Sequence, residues 1–579
     1  MRSRFVDFGN RTFVSFSDFY QFVTGLKGNI TPDYSYEVSY DYSQDRSEQQ
    51  TRNAINGALL NQAFVPTGAV DAQGRPLSTL TDAAGNNLPV YNIFGSSLSS
   101  GSGVNAPETI NALKATLFTW GQSELWSAEG HISGTPFSLP AGKVSFAAGG
   151  QYIDESISLQ VDGLSQGNLA PGLNVAVPFA RSKRTTSAGF VEVSVPITSP
   201  DMHVPLLYDL SLNASGRYQT FDPGGDAAVP KVGIRWQPID DQVLLRGSYN
   251  QGFIAPSIFN LFGPAFASNP NVNLPNEAGV VETGQVQTEV TGNPNLKPSD
   301  TEQYGVGIVI TPKNLVKNLT LSVDYYHVTE NHLAISDAQS VANSLYNLGP
   351  ASPFAPGFTF QDGSHVTDIH QVHIDNWLNA TYPWQANGAL KTDGIDFTGN
   401  YVIPDDITHG LGKITLNASV NLILSFQAQQ SPDLPFVEYK GTYTPFEGSI
   451  PDWNLNTSLS WEFHQFTYFI NANYLPQMSD PGLLIGPYSQ PEQGFTINNP
   501  TKPFIVPDYF TIDMRLSYEI GKGKLEGRAW YDGTRFSVGC LNITGEKPPV
   551  IADAVEDNTD KNNYDILGRF VYFEISKKF

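Results

Sequence analysis

Apolar and polar residues alternate with a period of two over most of this chain. The clearest stretch sets Phe510, Ile512, Met514, Leu516, Tyr518 and Ile520 on one face and Thr511, Asp513, Arg515, Ser517 and Glu519 on the other. A second apolar row, Ile414, Leu416, Ala418, Val420, Leu422, Leu424 and Phe426, opposes Thr415, Asn417, Ser419 and Asn421. Leu319, Leu321, Val323 and Tyr325 oppose Thr320, Ser322 and Asp324, and Trp453, Leu455, Leu459, Trp461 and Phe463 make a further row. Such rows predict antiparallel strands with one apolar face. In a soluble sandwich that face turns inward; in a membrane barrel it meets lipid and the polar face lines a wet lumen. The pairs Trp453/Trp461 and Tyr468/Tyr474 stand at the two ends of their rows, where interfacial aromatic girdles belong.

The links between strands separate the two cases. About 17 strands alternate between short and long connections. The short ones are 28–33, 135–142, 198–205, 237–242, 312–318, 404–411, 464–465 and 521–532. The long ones are 51–113, 161–186, 254–300, 335–387, 427–447, 481–508 and 544–567, with 221–226 as a short member of that class. A sandwich gives no reason for all long loops to share one side, whereas a barrel with short periplasmic turns and long outer loops does. The expected fold is therefore all-β, a transmembrane antiparallel β-barrel. A complete bacterial barrel has an even strand number and both ends inside. Here the first strand, about 11–27, and the last both run inward. The start Met1-Arg2-Ser3-Arg4-Phe5-Val6-Asp7 also lacks the apolar core of an export signal. Together these predict a chain truncated at its N-terminal side.

Composition narrows the function. The 579 residues contain no apolar run long enough for a spanning helix, and a barrel does not need one. The single Cys540 excludes a disulfide scaffold and fits poorly with a zinc or iron–sulfur protein; it shares the face of Phe536 and Val538, predicting an inert, lipid-facing thiol. With 56 acidic against 33 basic residues and a net charge of −23, nucleic acid is not an expected partner. The charge serves the solubility of long loops, or forms an acidic mouth for cationic or metal-bearing ligands. Helical turns are expected within loops around Asn53–Gln62 and Asp337–Leu345.

Several segments carry a family resemblance. The ending Tyr564-Asp565-Ile566-Leu567-Gly568-Arg569-Phe570-Val571-Tyr572-Phe573-Glu574-Ile575-Ser576-Lys577-Lys578-Phe579 resembles an outer-membrane insertion signal, with Val571, Phe573, Ile575 and Phe579 as its apolar positions. Leu245-Arg246-Gly247-Ser248-Tyr249-Asn250-Gln251-Gly252-Phe253-Ile254-Ala255-Pro256-Ser257 resembles the strand-to-loop signature of TonB-dependent outer-membrane receptors, with Ile254 where arginine is commonest. Gly292-Asn293-Pro294-Asn295-Leu296-Lys297-Pro298-Ser299-Asp300-Thr301-Glu302 is similar to the stretch that leads into their next strand. Leu139-Pro140-Ala141-Gly142-Lys143-Val144 resembles one of their turns, and Leu541-Asn542-Ile543 before Pro548-Pro549 their penultimate strand and last outer loop. The resemblance runs from about Arg11 to Phe579.

It implies that residues 1–579 are a partial TonB-dependent receptor β-barrel domain, about 17 strands of roughly 22, without the plug and the coupling segment. The implied function is active uptake of a scarce nutrient, a ferric siderophore first, with a glycan or cobalamin as alternatives within the family. The implied partners are outer-membrane lipid, the TonB energy-coupling protein, the barrel assembly machinery and a small ligand. The implied place is the outer membrane of a Gram-negative bacterium. No cofactor is implied.

No catalytic constellation is found: the sequence has no G-x-S-x-G elbow, no P-loop and no H-E-x-x-H, so an enzyme is not expected. His365, Asp368, His370, His373 and Asp375 cluster in an outer loop. A metal site needs three or four converging ligands, and a merely polar loop is the simpler reading. The functional reading is that His370 and His373, with Trp377 and Trp384, contact a ligand. Lumen carboxylates Asp324, Asp513 and Glu519 are expected beside Arg515 and similar cations as an inner wall. A passive porin of about 16–18 strands competes with the receptor. So does a soluble all-β binding or hydrolytic protein.

Overall fold

Alternation is what builds the wall. The computed structural model describes residues 6–95, 104–167, 169–171, 177–429, 431–432, 434–444, 448–480, 504–522, 530–551, 554 and 558–578. Its main sheet has 18 strands, one of them the two-residue annexe Val437–Glu438, which leaves 17 wall strands. The first six are β1 (Thr12–Thr31), β2 (Tyr34–Ile55), β3 (Lys114–Leu139), β4 (Gly142–Val161), β5 (Phe179–Thr198) and β6 (Asp209–Asp222). The next six are β7 (Gly225–Gln237), β8 (Val243–Ile254), β9 (Ser299–Ile310), β10 (Leu319–Ile335), β11 (Gln385–Ile403) and β12 (Lys413–Gln429). The last five are β13 (Trp453–Phe463), β14 (Phe466–Leu475), β15 (Tyr509–Glu519), β16 (Thr534–Leu541) and β17 (Phe570–Lys577). Each pairs antiparallel with its chain neighbour, from β1 to β17 without a break. Short and long links alternate as the sequence predicts, with only Pro223-Gly224 joining β6 to β7 on the long-loop side.

Register shows which face meets lipid. On β2 the outward row reads Tyr34, Tyr36, Val38, Tyr40 and Tyr42, then changes to Gln44, Arg46, Glu48, Gln50 and Arg52. The change marks where the strand leaves the bilayer. A spanning strand needs only about 10 residues, and β2 and β3, at 22 and 26 residues, project beyond it on the long-loop side. An aromatic belt stands at that boundary. Trp126 lies 6.5 Å from Tyr40 and 5.1 Å from Tyr152, and Tyr304 lies 6.3 Å from Tyr325. Farther along, Trp453 lies 5.2 Å from Tyr474. At the short-turn end Phe466 packs 5.1 Å from Tyr518, and the Trp461 indole donates to the Leu411 carbonyl at 2.6 Å. Both girdles are therefore present. Cys540 stays on the outward face, opposite Met514 and Val571.

One outward row departs from expectation. β12 carries a bulge at Leu424: Ile423 faces Gly394 and Ser425 faces Asp393. The extra residue reverses the parity, so Phe426 falls on the lumen face beside Thr392 rather than continuing the apolar row.

The lumen face is a hydrogen-bonded polar wall. Arg246 of β8 donates twice to Asp324 of β10, Nε to Oδ1 at 2.7 Å and Nη2 to Oδ2 at 2.6 Å. Between them on β9 is Gly307, and a Cβ there would overlap the Asp324 carboxylate. Glycine lets two side chains meet over the strand that separates them. Gly307→Val is expected to break this bidentate pair and cost about 1–3 kcal/mol by overpacking, read as a lower denaturation midpoint. An unchanged midpoint would show that the pair contributes nothing. Farther round, Ser322 bonds Thr398 at 2.8 Å and Asn421 donates to Asp396 at 2.7 Å. An amide ladder follows, Asn400 to Asn417 at 2.6 Å and Asn456 to Asn471 at 3.1 Å. Arg535 pairs with Glu519 at 2.6 Å. Arg515 does not follow the expectation. It forms no ion pair among the described residues and instead lies 5.5 Å over the Phe469 ring. Asp513 accepts the Asn542 N–H at 2.8 Å instead of a cation.

Candidate functional site

Among the described residues, the three larger buried clusters of the long loops form three bodies. One packs Leu60, Ala63, Leu80, Leu88, Tyr91, Ile110 and Leu113 of 56–113 with Phe8 and Ile55. A second joins three loops through Tyr443, Met478, Val506, Tyr509, Ile551 and Tyr564. Asp560 ties that one together by accepting the Ser449 N–H at 3.0 Å and the Asn563 amide at 2.9 Å.

The largest body fuses loops 255–298 and 336–384. Helix α1 (Ala338–Leu348) is capped by Asp337, which accepts the Ser340 N–H at 3.0 Å, and buries Val341, Ala342 and Leu345. The sequence expectation of a helical turn at Asp337–Leu345 is met, and Gly57–Ala63 meets the one at Asn53–Gln62. Thr288–Thr291 of one loop pairs in parallel with Trp377–Pro383 of the other, and Phe266–Ser268 and Phe358–Phe360 complete a four-stranded sheet. The Asn293 amide donates to the Trp384 carbonyl at 2.7 Å, and the Ser340 hydroxyl meets that of Ser431 in a third loop at 2.6 Å. The result is one roof rather than two strands of loose loop. Burial pushes its Tyr382 phenol up to about 12, which keeps it neutral.

The histidine cluster divides across this roof. His370 is exposed, in a left-handed conformation (φ 57°); its N–H donates to the Tyr346 carbonyl at 2.7 Å and its ring lies 4.6 Å from the Tyr346 ring. His373 is only 9% exposed and hydrogen-bonds the Pro275 carbonyl through Nδ1 at 2.8 Å, so that nitrogen carries the proton. Trp377 is 5% exposed; its indole donates to the Gln287 carbonyl at 2.9 Å and its ring meets Phe358 edge-on at 4.9 Å. Trp384 is half-buried against Phe266 at 6.0 Å, and its indole N–H is unpartnered among the described residues. His365 bonds the Phe358 carbonyl at 3.0 Å. Among the described residues no three His, Cys, Asp or Glu side chains converge on a metal position.

Sequence reading missed the residues that present His370 and Trp384, chiefly Tyr346, Phe266 and Asn293. Their partners lie in a different loop or a distant turn, and no periodicity links them. Outer carboxylates mostly serve their own turns: Asp71 accepts Gln73 N–H at 2.9 Å and Arg75 N–H at 2.8 Å, and Asp82 does the same for Ala84 and Asn86. Of the insertion-signal positions, Val571, Phe573 and Ile575 point outward, 67%, 65% and 60% exposed. Phe579 lies outside the described residues.

Comparison with known proteins agrees with this architecture. Among curated proteins, none matches the chain by sequence. The siderophore receptor PirA from Acinetobacter baumannii is similar in structure, with a TM-score of 0.53 at 13% identity, over 97% of this chain and 63% of that one. A mutant of the ferric enterobactin receptor PfeA from Pseudomonas aeruginosa has a TM-score of 0.51 at 12% identity, over 98% of this chain and 70% of that one. The chain thus spans under two thirds of the length of PirA. At these identities the likeness speaks for the fold. The sequence profile of the family described as TonB dependent receptor-like, beta-barrel matches residues 2–543. With a lipid-facing wall of antiparallel strands and that match over nearly its whole length, the chain belongs to the TonB-dependent receptor β-barrel family.

Proposed function

We propose that this chain forms the membrane wall and outer recognition surface of a receptor for active nutrient uptake, with a ferric siderophore as the ligand. The carrying observation is the fused roof, a packed surface built on the long-loop side of a family barrel. The two structural neighbours described above are receptors for a siderophore and for ferric enterobactin, which supports the substrate class. In this reading His370 and Trp384 touch the ligand, and buried His373 and Trp377 hold the surface from beneath. Energy comes from the coupling protein TonB, insertion from the barrel assembly machinery, and the place is a Gram-negative outer membrane. The chain carries no catalytic step.

Iron-starved cells are expected to raise expression of the protein, and the purified chain to bind a ferric catecholate or hydroxamate with quenching of its tryptophan fluorescence. His370→Ala is expected to weaken that binding several-fold, about 1 kcal/mol for one lost contact, with an unchanged melting profile. Induction by a polysaccharide alone, with oligosaccharide binding and no ferric-chelate binding, would replace the siderophore with a glycan.

A further inference from the structure

Arg515 stands apart from the other lumen arginines. Arg217 donates to Gln219 and Gln151, both at 2.7 Å; Arg235 pairs with Asp209 at 3.2 Å, Arg246 with Asp324 and Arg535 with Glu519. The Arg515 Nε is buried and has no acceptor among the described residues. Leaving a charged donor unmet costs more than leaving a neutral one, so such a group is retained where something else meets it.

Its surroundings are arranged for that. Register places Phe469, Arg515, Gly539 and Tyr572 in one row across β14 to β17 on the lumen face. Phe469 supports the guanidinium from one side, its ring centroid 5.5 Å from Cζ. On the other side Gly539 has no side chain, and the Tyr572 ring folds into the space a Cβ would fill, hydroxyl included. Directly opposed residues stand about 5 Å apart at Cβ, so the phenol hydroxyl lies about one strand spacing from the arginine stem. Among the described residues, Asp513 and Glu574 on this face do not fill the gap. Asp513 is engaged by Asn542 and Asn471, and Glu574 lies on β17 in the next row. The row sits four residues from the short-turn end of β15, in the inner half of the wall.

We propose that Arg515 and Tyr572 form an oxyanion site on the lumen wall that takes a carboxylate of a passing solute. The two Nη groups of a planar fork and a phenol O–H would together offer one oxyanion three donors, the pattern that favours carboxylate over an uncharged carbonyl. The inference rests on the uptake reading only in that the solute travels the lumen; the site does not depend on which ligand the roof selects.

Phenylglyoxal modification of the full chain in detergent tests it, with each arginine followed by peptide mass spectrometry. Succinate is the probe and neutral succinamide the control. The expected result is that succinate slows modification of Arg515 about fivefold, as a charge-assisted pair implies, while Arg235 and Arg535 are unaffected and succinamide does nothing. Tyr572→Phe, which keeps the ring over Gly539, is expected to remove most of that protection while Arg515 stays reactive. Equal protection of all three arginines would mean general screening and overturn the site. So would no protection at any succinate concentration. An Arg515 that resists modification until the chain is unfolded would mean that polypeptide fills the site, which overturns the proposal too. None of these outcomes bears on siderophore binding, so the two readings fail separately.

Discussion

Trp377→Ala is expected to open the roof and leave the wall intact. The indole is buried in the largest loop core, holds Phe358 edge-on and ties its own loop to the Gln287 carbonyl of the other. Its removal leaves a cavity and an unmet carbonyl, together costing about 3–5 kcal/mol. A separate loop body of this size cannot absorb that, since whole domains have only about 5–15 kcal/mol in hand. Proteases added to intact cells should then cut within 255–298 and 336–384, segments expected to resist in the parent because they share a buried core. The folded wall should still migrate as a heat-modifiable band in detergent gels. If the cut pattern is unchanged, the two loops are not one cooperative unit; if heat-modifiability is also lost, roof and wall are not separable.

The second large effect concerns the two faces of one strand. Val306 is 60% exposed at the middle of β9 on the outward face, while Gln303, three residues earlier, faces the lumen. Val306→Arg is expected to destabilise the wall by about 2–4 kcal/mol, the cost of a cation on the lipid face near the bilayer centre. Gln303→Arg is expected to stay within about 0.5 kcal/mol, because the lumen hydrates the charge. Folding into lipid vesicles across a urea series would measure both. Equal and small effects would mean that the outward face meets water, and the membrane reading would fall.

Much of this was legible in sequence because a barrel strand writes its environment in alternate letters. The row Phe510 to Tyr518 is β15 to within a residue, and the 464–465 link is the β13–β14 turn itself. The alternation of short and long links also survives, since loop length is a property of the chain and needs no contacts. The β12 bulge was not legible: Leu422, Leu424 and Phe426 continue a perfect alternation, and only the pairing with Asp393 and Gly394 reveals the slip. Arg515 shows a similar limit. Asp513 and Glu519 are its neighbours on the same face, yet each is taken by another partner, Asn542 and Arg535. The loop site was legible only as a composition of histidines and tryptophans. Which of them face solvent is decided by parallel pairing between segments about ninety positions apart, as Trp377 to Gln287 shows.

That parallel pairing bears on how such a receptor can change. Two parallel strands cannot come from one tight hairpin; they need a crossover, here supplied by two different loops. A substitution in Thr288–Thr291 is felt at once by Trp377–Pro383, so neither loop can drift alone without disturbing the sheet they share. New specificity would have to arise from paired changes, or by inheriting both loops together from another receptor as a single cassette.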